Sequence, residues 1–138
     1  MNGADFLDTN VIVYAYDSSA PRKQEAARQL LLRALKGEFV LSTQVLSEAA
    51  ATFLHKLTPP MTTEAVADIL DLLSPIQLIS PDSDLVRRAV QTRARYGIHF
   101  YDGMIVAAAE RAGSLRILSE DLNAGQPYFG IKVENPFA

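Results

Sequence analysis

Four acidic residues stand at points of the sequence where a parallel sheet would bring them together. Asp8 follows the first predicted strand, Glu48 lies near the start of the helix after the second strand, and Asp102 begins a later helix. Asp121 follows the fourth predicted strand. Neighbouring carboxylates repel one another unless a counter-charge is present, and oxygen ligands favour hard cations such as Mg²⁺ or Mn²⁺. The residue types and positions therefore predict a site for a divalent cation.

Each acid also has an ordinary structural explanation. Asp8-Thr9-Asn10 consists of residues that commonly cap helices, and the residues around Asp121 are typical of a turn. Glu48 lies on a polar stripe that a solvated helix face explains equally well. An acid such as Asp102 also stabilises the N-terminus of a helix. Taken singly, these residues leave both interpretations open.

Asp102 is the acid that a purely structural role explains least well. The residues three, four and seven positions after it are Ile105, Val106 and Ala109, which places Asp102 on an apolar face of a predicted helix. Burying an unpaired carboxylate is costly, so proteins keep one only with a partner, a raised pKa or a metal ion. Asp102 therefore favours the functional interpretation.

Short apolar segments alternate with helical ones along the chain. Strands are predicted at 4–8, 39–41, 76–79, 116–118 and 131–133. Helices are predicted at 21–36, 43–57, 62–73, 80–96 and 101–112, whereas 11–16 fits a strand or a helix. This alternation predicts one α/β domain over residues 1–138, a three-layer α/β/α sandwich whose central, mostly parallel sheet has four to five short strands. In such sheets ligands bind at the carboxyl ends of the strands, where the four acids are expected.

Composition excludes several classes of protein. A chain of 138 residues with 49% hydrophobic and 21% charged residues is expected to fold rather than remain disordered. It has no cysteine, which excludes disulfides, thiol catalysis and thiolate metal sites and fits a reducing cytoplasm. No apolar run approaches the roughly 20 residues that span a bilayer. We therefore expect a soluble, cytoplasmic protein without a membrane partner.

The basic residues are concentrated on two predicted helices. The net charge of −3 argues against a protein that coats nucleic acid non-specifically. Nine of the thirteen Lys and Arg residues nevertheless lie on the helices at 21–36 and 80–96. These helices present either solvated faces or surfaces that contact phosphates. The candidate RNA-binding residues are Arg22, Lys23, Arg28, Arg87, Arg88, Arg93 and Arg95.

The acidic segments, in order, resemble the motifs of one known family. Asp8-Thr9-Asn10 after a short strand resembles the first motif of the PIN-domain nucleases, and Leu46-Ser47-Glu48 resembles their second. Residues 101–109 resemble the third motif and residues 117–122 the fourth. The match extends over essentially the whole chain, at the length of the single-domain VapC-type toxins of type II toxin–antitoxin systems. No single motif is specific, but the four in order are a strong signal.

The resemblance implies a metal-dependent endoribonuclease with a PIN-like fold. Its catalytic acids would be Asp8, Glu48, Asp102 and Asp121. Asp8, Asp102 and Asp121 would bind Mg²⁺ (or Mn²⁺), and Glu48 would bind it directly or through water. The supporting small polar residues would be Thr9, Asn10 and Ser119. The resemblance also implies an RNA substrate, a cognate antitoxin protein and a homodimer.

Three other interpretations remain open at this stage. A phosphoaspartyl phosphatase or receiver-like domain would use Asp8 as its nucleophile. This chain, however, has Asn10 where such phosphatases carry a second Asp. The late Lys of a receiver could only be Lys132, whose context is weak. A catalytically inactive PIN-like RNA-binding protein would be expected to lack at least one of the four acids. A DNA flap nuclease of the same fold would need more chain than 138 residues.

Overall fold

The computed structural model describes residues 3–138. Its strands, in chain order, are β1 (Asp5–Leu7), β2 (Phe39–Ser42), β3 (Leu78–Ile79), β4 (Arg116–Leu118) and β5 (Lys132–Glu134). Its helices are α1 (Thr9–Ala15), α2 (Pro21–Leu35), α3 (Thr43–His55), α4 (Thr63–Leu73), α5 (Ser83–Tyr96) and α6 (Phe100–Ala112). The strands form one sheet in the order β3-β2-β1-β4-β5, and every neighbouring pair is parallel.

Strand β1 lies at the centre of the sheet, where the strand order changes direction. Phe6 of β1 is paired with Val40 of β2 on one side and with Ile117 of β4 on the other, and all three side chains are buried. A change of direction of this kind opens a crevice at the carboxyl ends of the strands. Asp8 directly follows β1 and Ser119 directly follows β4, so both residues lie at this crevice.

The helices cover the sheet in two groups. Helix α1 packs against α2 and α3, and α3 packs against α4, whereas α5 packs mainly against α6. Helix α6 contacts β1, β2, β3 and β4, which places it directly on the sheet. The predicted α/β/α sandwich is therefore confirmed, with five strands that are all parallel.

Local sequence explains where several elements differ from the prediction. Residues 11–16, which fitted either a strand or a helix, lie mostly in α1, because Asp8 caps it and Val11, Ile12 and Ala15 are buried at helical spacing. Strand β3 is shorter than predicted, since the backbone N–H of Ile76 donates to the carbonyl of Leu73 at the end of α4. Strand β5 begins one residue later than predicted.

A close contact between α5 and α6 positions the start of α6. A Cβ atom on Gly103 would lie 2.7 Å from the carbonyl oxygen of Ala89, so the two helices approach as closely as they do only because residue 103 lacks a side chain. His99 caps α6 by accepting a hydrogen bond from the backbone N–H of Tyr101. Among the described residues, no helix is both long and apolar enough to cross a membrane.

Candidate active site

Asp8 is buried at the end of β1, with both carboxylate oxygens hydrogen bonded. Its side chain is 5% exposed. The backbone N–H of Thr9 donates to Oδ1 at 2.7 Å, and the Ser119 hydroxyl donates to Oδ2 at 2.7 Å. Burial raises the pKa of Asp8 to about 6, an effect that these two hydrogen bonds reduce and the negative charges of Asp121 and Glu48 increase. Asp8 is thus a carboxylate that has no ion-pair partner within the part of the chain that the structure describes.

Glu48 is connected to the first motif through Thr9. The Thr9 hydroxyl donates to Oε2 of Glu48 at 2.9 Å, and the Gln44 side chain donates to Oε1 at 2.8 Å. The same Gln44 amide donates to the carbonyl of Tyr101 at 3.0 Å, which connects α3 to the first turn of α6. Both donors to Glu48 are neutral, so they orient its carboxylate without cancelling its charge.

Asn10 and Ser119 connect the first motif to the fourth. Asn10 Nδ2 donates to Oδ2 of Asp121 at 3.1 Å, and Asn10 Oδ1 accepts from the backbone N–H of Glu120 at 3.3 Å. The hydroxyl oxygen of Ser119 accepts from the backbone N–H groups of Asp121 and Leu122 while its proton is donated to Asp8. The three residues predicted to support the acids therefore each bind a predicted acid: Thr9, Asn10 and Ser119.

Asp102 lies half-buried in the first turn of α6. Burial raises its pKa, His99 lowers it, and the carboxylates of Asp121 and Glu48 raise it. Within residues 3–138 its carboxylate accepts no hydrogen bond from a side chain and belongs to no ion pair. Of the four acids, Asp102 is held least by its neighbours.

The charges of Glu48 and Asp121 help to raise the pKa of Asp8 and of Asp102, but the four side chains do not surround a common point. Along the described chain, no three His, Asp or Glu side chains lie close enough together to hold one metal ion. Hydrogen bonds instead draw Glu48 toward Thr9 and Gln44, and Asp121 toward Asn10. The donor set suits a hard divalent cation, because it consists of carboxylate oxygens without a positively charged partner. The assignment of Asp8, Asp102 and Asp121 as metal ligands stays a prediction.

A cleft of about 590 Å³ opens next to these residues. Glu48, Asp121, Thr9 and Asn10 line it, whereas Asp8 and Asp102 are not among its lining residues. Two of the predicted acids therefore face a cavity of the size of a small-ligand site, which is roughly 300–1,000 Å³.

A contact network at the rim of this cleft was not expected from the sequence. Lys23 Nζ lies 2.7 Å from Glu120 Oε2, and the Tyr14 hydroxyl donates to Glu120 Oε1 at 2.8 Å. Lys23 also lies 4.8 Å from the centre of the Tyr14 ring. Lys23 and Glu120 are 97 positions apart, so no local pattern could have revealed the pair. Lys23, a candidate RNA-binding residue, is thus engaged by an acid of the protein.

Most of the other candidate RNA-binding residues also have partners within the protein. Arg22 donates to the carbonyl of Phe137 and Arg28 to that of Ala15. On α5, ion pairs join Arg87 to Asp84 and Arg88 to Glu110. Arg93 donates a hydrogen bond to the carbonyl of Ile98. The guanidinium group of Arg95 lies over the rings of Tyr96 and Phe129. None of these residues lines the cleft. Whether any of them binds RNA stays a prediction.

Comparisons with known proteins identify the family. The structure is similar to a toxin–antitoxin complex from Klebsiella pneumoniae (19% identity, TM-score 0.69, 96% of this chain and 98% of the other). It is also similar to DNA-bound VapBC from Salmonella typhimurium (20%, 0.69, 99% of each chain) and to Mycobacterium tuberculosis VapC20, a Sarcin-Ricin loop cleaving toxin (16%, 0.67, 86% and 90%). A comparison with curated proteins finds no significant match. The family model described as PIN domain matches residues 6–129, and the chain therefore belongs to the PIN domain family.

Proposed function

We propose that this chain is a divalent-metal-dependent endoribonuclease and the toxin of a toxin–antitoxin pair. The observation that carries the proposal is the set of four acids, in which the charges of Glu48 and Asp121 help to raise the pKa of Asp8 and of Asp102. Within residues 3–138 none of the four has a basic partner in an ion pair, and Thr9, Asn10 and Ser119 connect them by hydrogen bonds. Membership of the PIN domain family supports nuclease activity. We further propose that residues 1–138 form one catalytic domain that acts in the cytoplasm.

Different residues of the site have different proposed roles in the reaction. Asp8, Asp102 and Asp121 would hold the cation, with Ser119 orienting Asp8 and Asn10 orienting Asp121. When bound, Mg²⁺ or Mn²⁺ supplies a Lewis acid and a counter-charge for the phosphoryl oxygens. Glu48, held by two neutral donors, accepts a proton from the attacking water. The water oxygen bonds to phosphorus as the bond from phosphorus to the 3′ oxygen breaks. The 3′ oxygen takes up a proton from solvent, which leaves a 5′-phosphate and a 3′-hydroxyl.

The burial of Asp8 disfavours the phosphoaspartyl alternative. A nucleophilic Asp needs one oxygen exposed to the incoming phosphorus. Both oxygens of Asp8 accept hydrogen bonds of 2.7 Å, and the side chain is 5% exposed. Cation binding by Asp8 is proposed instead because the neighbouring carboxylates of Asp121 and Glu48 help to raise its pKa, so that a nearby counter-charge would stabilise its ionised form.

Two exposed apolar surfaces support protein partners. A groove of about 290 Å³ between α2 and α4 is lined by leucines, among which Leu32 is 53% and Leu72 61% exposed. We assign this groove to the antitoxin, because the similar solved structures include toxin–antitoxin complexes.

On α5, Val86 and Val90 are exposed one helical turn apart, and we assign them to a homodimer contact. Light scattering, which measures molar mass in solution, tests this contact: the wild type should be dimeric and Val90→Glu monomeric.

The deciding experiment is cleavage of a mixed RNA pool with Mg²⁺, Mn²⁺ or EDTA. We expect the wild type to cleave with either metal and not with EDTA, and Asp8→Asn to be inactive. Asp68→Asn is the matched control, because Asp68 is exposed on α4 and belongs to no ion pair among the described residues. Cleavage by a folded Asp8→Asn protein would refute the assignment. Binding of RNA without cleavage by the wild type would instead support the inactive RNA-binding alternative.

A further inference from the structure

Two cavities meet beside the acidic residues. The cleft of about 590 Å³ that Glu48 and Asp121 line shares Asp17 and Lys56 with a second cavity of about 450 Å³. Both volumes fall within the roughly 300–1,000 Å³ of small-ligand sites, so each has room for a nucleotide. Asp17 and Lys56 therefore lie at the boundary between the two cavities.

Lys56 is the basic residue at this junction. It directly follows α3, its side chain is exposed, and no other Lys or Arg of the described chain lines either cavity. It belongs to no ion pair among residues 3–138. The neighbouring Asp17 is already engaged, since its Oδ1 accepts from the Ser19 backbone N–H at 3.0 Å and from the Ser19 hydroxyl at 2.6 Å. Asp17 keeps its negative charge, because both of its donors are neutral, but Lys56 forms an ion pair with neither Asp17 nor any other acid of residues 3–138. Its ammonium group is therefore available to a phosphate at the boundary of the acidic cleft.

The second cavity carries groups suited to a nucleoside. Tyr16 contributes an aromatic ring, which edge-on packing against Phe53 holds in place with ring centres 5.7 Å apart. Ser18 and Thr58 add hydroxyl groups to the lining. Proteins that bind single-stranded nucleic acid combine such aromatic rings with cations that contact the backbone.

We propose that Lys56 and the second cavity form a subsite for the nucleotide next to the scissile phosphate of single-stranded RNA. This inference rests on the proposed nuclease function. Lys56 Nζ contacts the flanking phosphate, and Tyr16 stacks on the adjacent base. The positive charge also offsets the repulsion between the RNA backbone and Glu48 and Asp121, which line the first cavity.

The test measures RNA binding separately from cleavage. In the Asp8→Asn background and in EDTA, fluorescence anisotropy compares single-stranded RNAs of about 4 and about 12 nucleotides. Lys56→Ala should weaken binding of the longer RNA roughly tenfold and reduce the slope of log K against log[salt] by about 1. Lys56→Arg should restore the slope. The matched control is Lys36→Ala, because Lys36 is an exposed lysine that also directly follows a helix but lines neither cavity.

Several outcomes would overturn the subsite. These are no detectable binding, equal losses for Lys56→Ala and Lys36→Ala, or an equal loss for duplex and single-stranded RNA. With wild-type residue 8, Lys56→Ala should raise KM and leave kcat nearly unchanged. If the wild type fails to cleave but binding still depends on Lys56, the nuclease proposal fails, and Lys56 belongs to an RNA-binding site without a scissile phosphate. If cleavage occurs but binding is independent of Lys56, only the subsite fails.

Discussion

The hydroxyl of Ser119 donates a 2.7 Å hydrogen bond to Oδ2 of Asp8, although the two residues are 111 positions apart. Ser119 is completely buried, and its oxygen also accepts the backbone N–H groups of Asp121 and Leu122. One side chain thereby positions the first predicted acid and the backbone of the last. This relationship, rather than any single motif, unites the ends of β1 and β4 into one site.

Removing this hydroxyl should reduce stability and change the pH dependence of cleavage. In Ser119→Ala, two backbone N–H groups lose their acceptor, so the free energy of unfolding should fall by about 2 kcal/mol. The lost hydrogen bond normally lowers the pKa of Asp8, so that pKa should rise and the acid limb of the pH–rate profile should move to higher pH. Ser114→Ala is the control, since buried Ser114 donates to the carbonyl of Ala4 instead. A profile that moves equally in both variants would contradict this account.

The raised pKa of Asp8 makes the metal-free protein less stable as pH rises. Because the folded-state pKa is about 6 against an ordinary 3.8, protonated Asp8 contributes stability that is complete below pH 3.8 and is lost as pH rises through about 6. A difference of this size corresponds to at most about 3 kcal/mol. Asp8→Asn carries no charge at this position, so in EDTA it should be more stable than wild type at about pH 7. At about pH 4.5 this advantage in stability should be much smaller.

Thermal unfolding in EDTA at the two pH values measures this difference. Adding Mg²⁺ at neutral pH should then raise the Tm of the wild type but not that of Asp8→Asn, because a ligand that binds the folded state stabilises it. An Asp8→Asn protein that is less stable than wild type at neutral pH in EDTA would rule out the proposed charge burial.

Glu120 and Asp121 are adjacent in the sequence but should differ sharply in their contribution to catalysis. Glu120 is engaged by Lys23 and Tyr14, and the hydrogen bond from Lys23 is the main reason that its pKa is lowered. Asp121 belongs to no ion pair among the described residues and lines the cleft. Asp121→Asn should reduce kcat/KM by about 100-fold, whereas Glu120→Gln should reduce it by no more than about threefold. Equal losses would mean that Glu120 belongs to the catalytic acids.

The close approach of α5 and α6 should make Gly103 intolerant of a side chain. In Gly103→Ala, the new Cβ would lie 2.7 Å from the carbonyl oxygen of Ala89, so the helices must separate at a cost of about 2 kcal/mol in unfolding free energy. Gly125→Ala serves as the control, because its Cβ would be in ordinary contact at 3.4 Å from an exposed side chain. Urea unfolding of both variants gives the comparison, and equal midpoints would contradict the packing argument.

The sequence alone was enough to predict the order of most elements and which acids follow or begin them. Helices and strands are encoded locally: Gly113 ends α6 with φ +74°, and Phe6 and Leu7 form a buried strand directly before Asp8. Each acid follows or begins such an element, so its place at the sheet edge could be predicted without coordinates. For residues 11–16 the apolar pattern fitted two structures, and burial in the folded chain selected the helix.

Only the tertiary structure determined which side chains contact each other. The contacts of Ser119 with Asp8, Lys23 with Glu120 and Thr9 with Glu48 join residues between 39 and 111 positions apart. No local pattern specifies such pairs, because they depend on how the strands are ordered in the sheet and how the helices pack upon it. For the same reason, the basic residues could be counted from the sequence, but those with partners in the protein could not be told apart from Lys56. Lys56 lies at the junction of two cavities and forms no ion pair among the described residues.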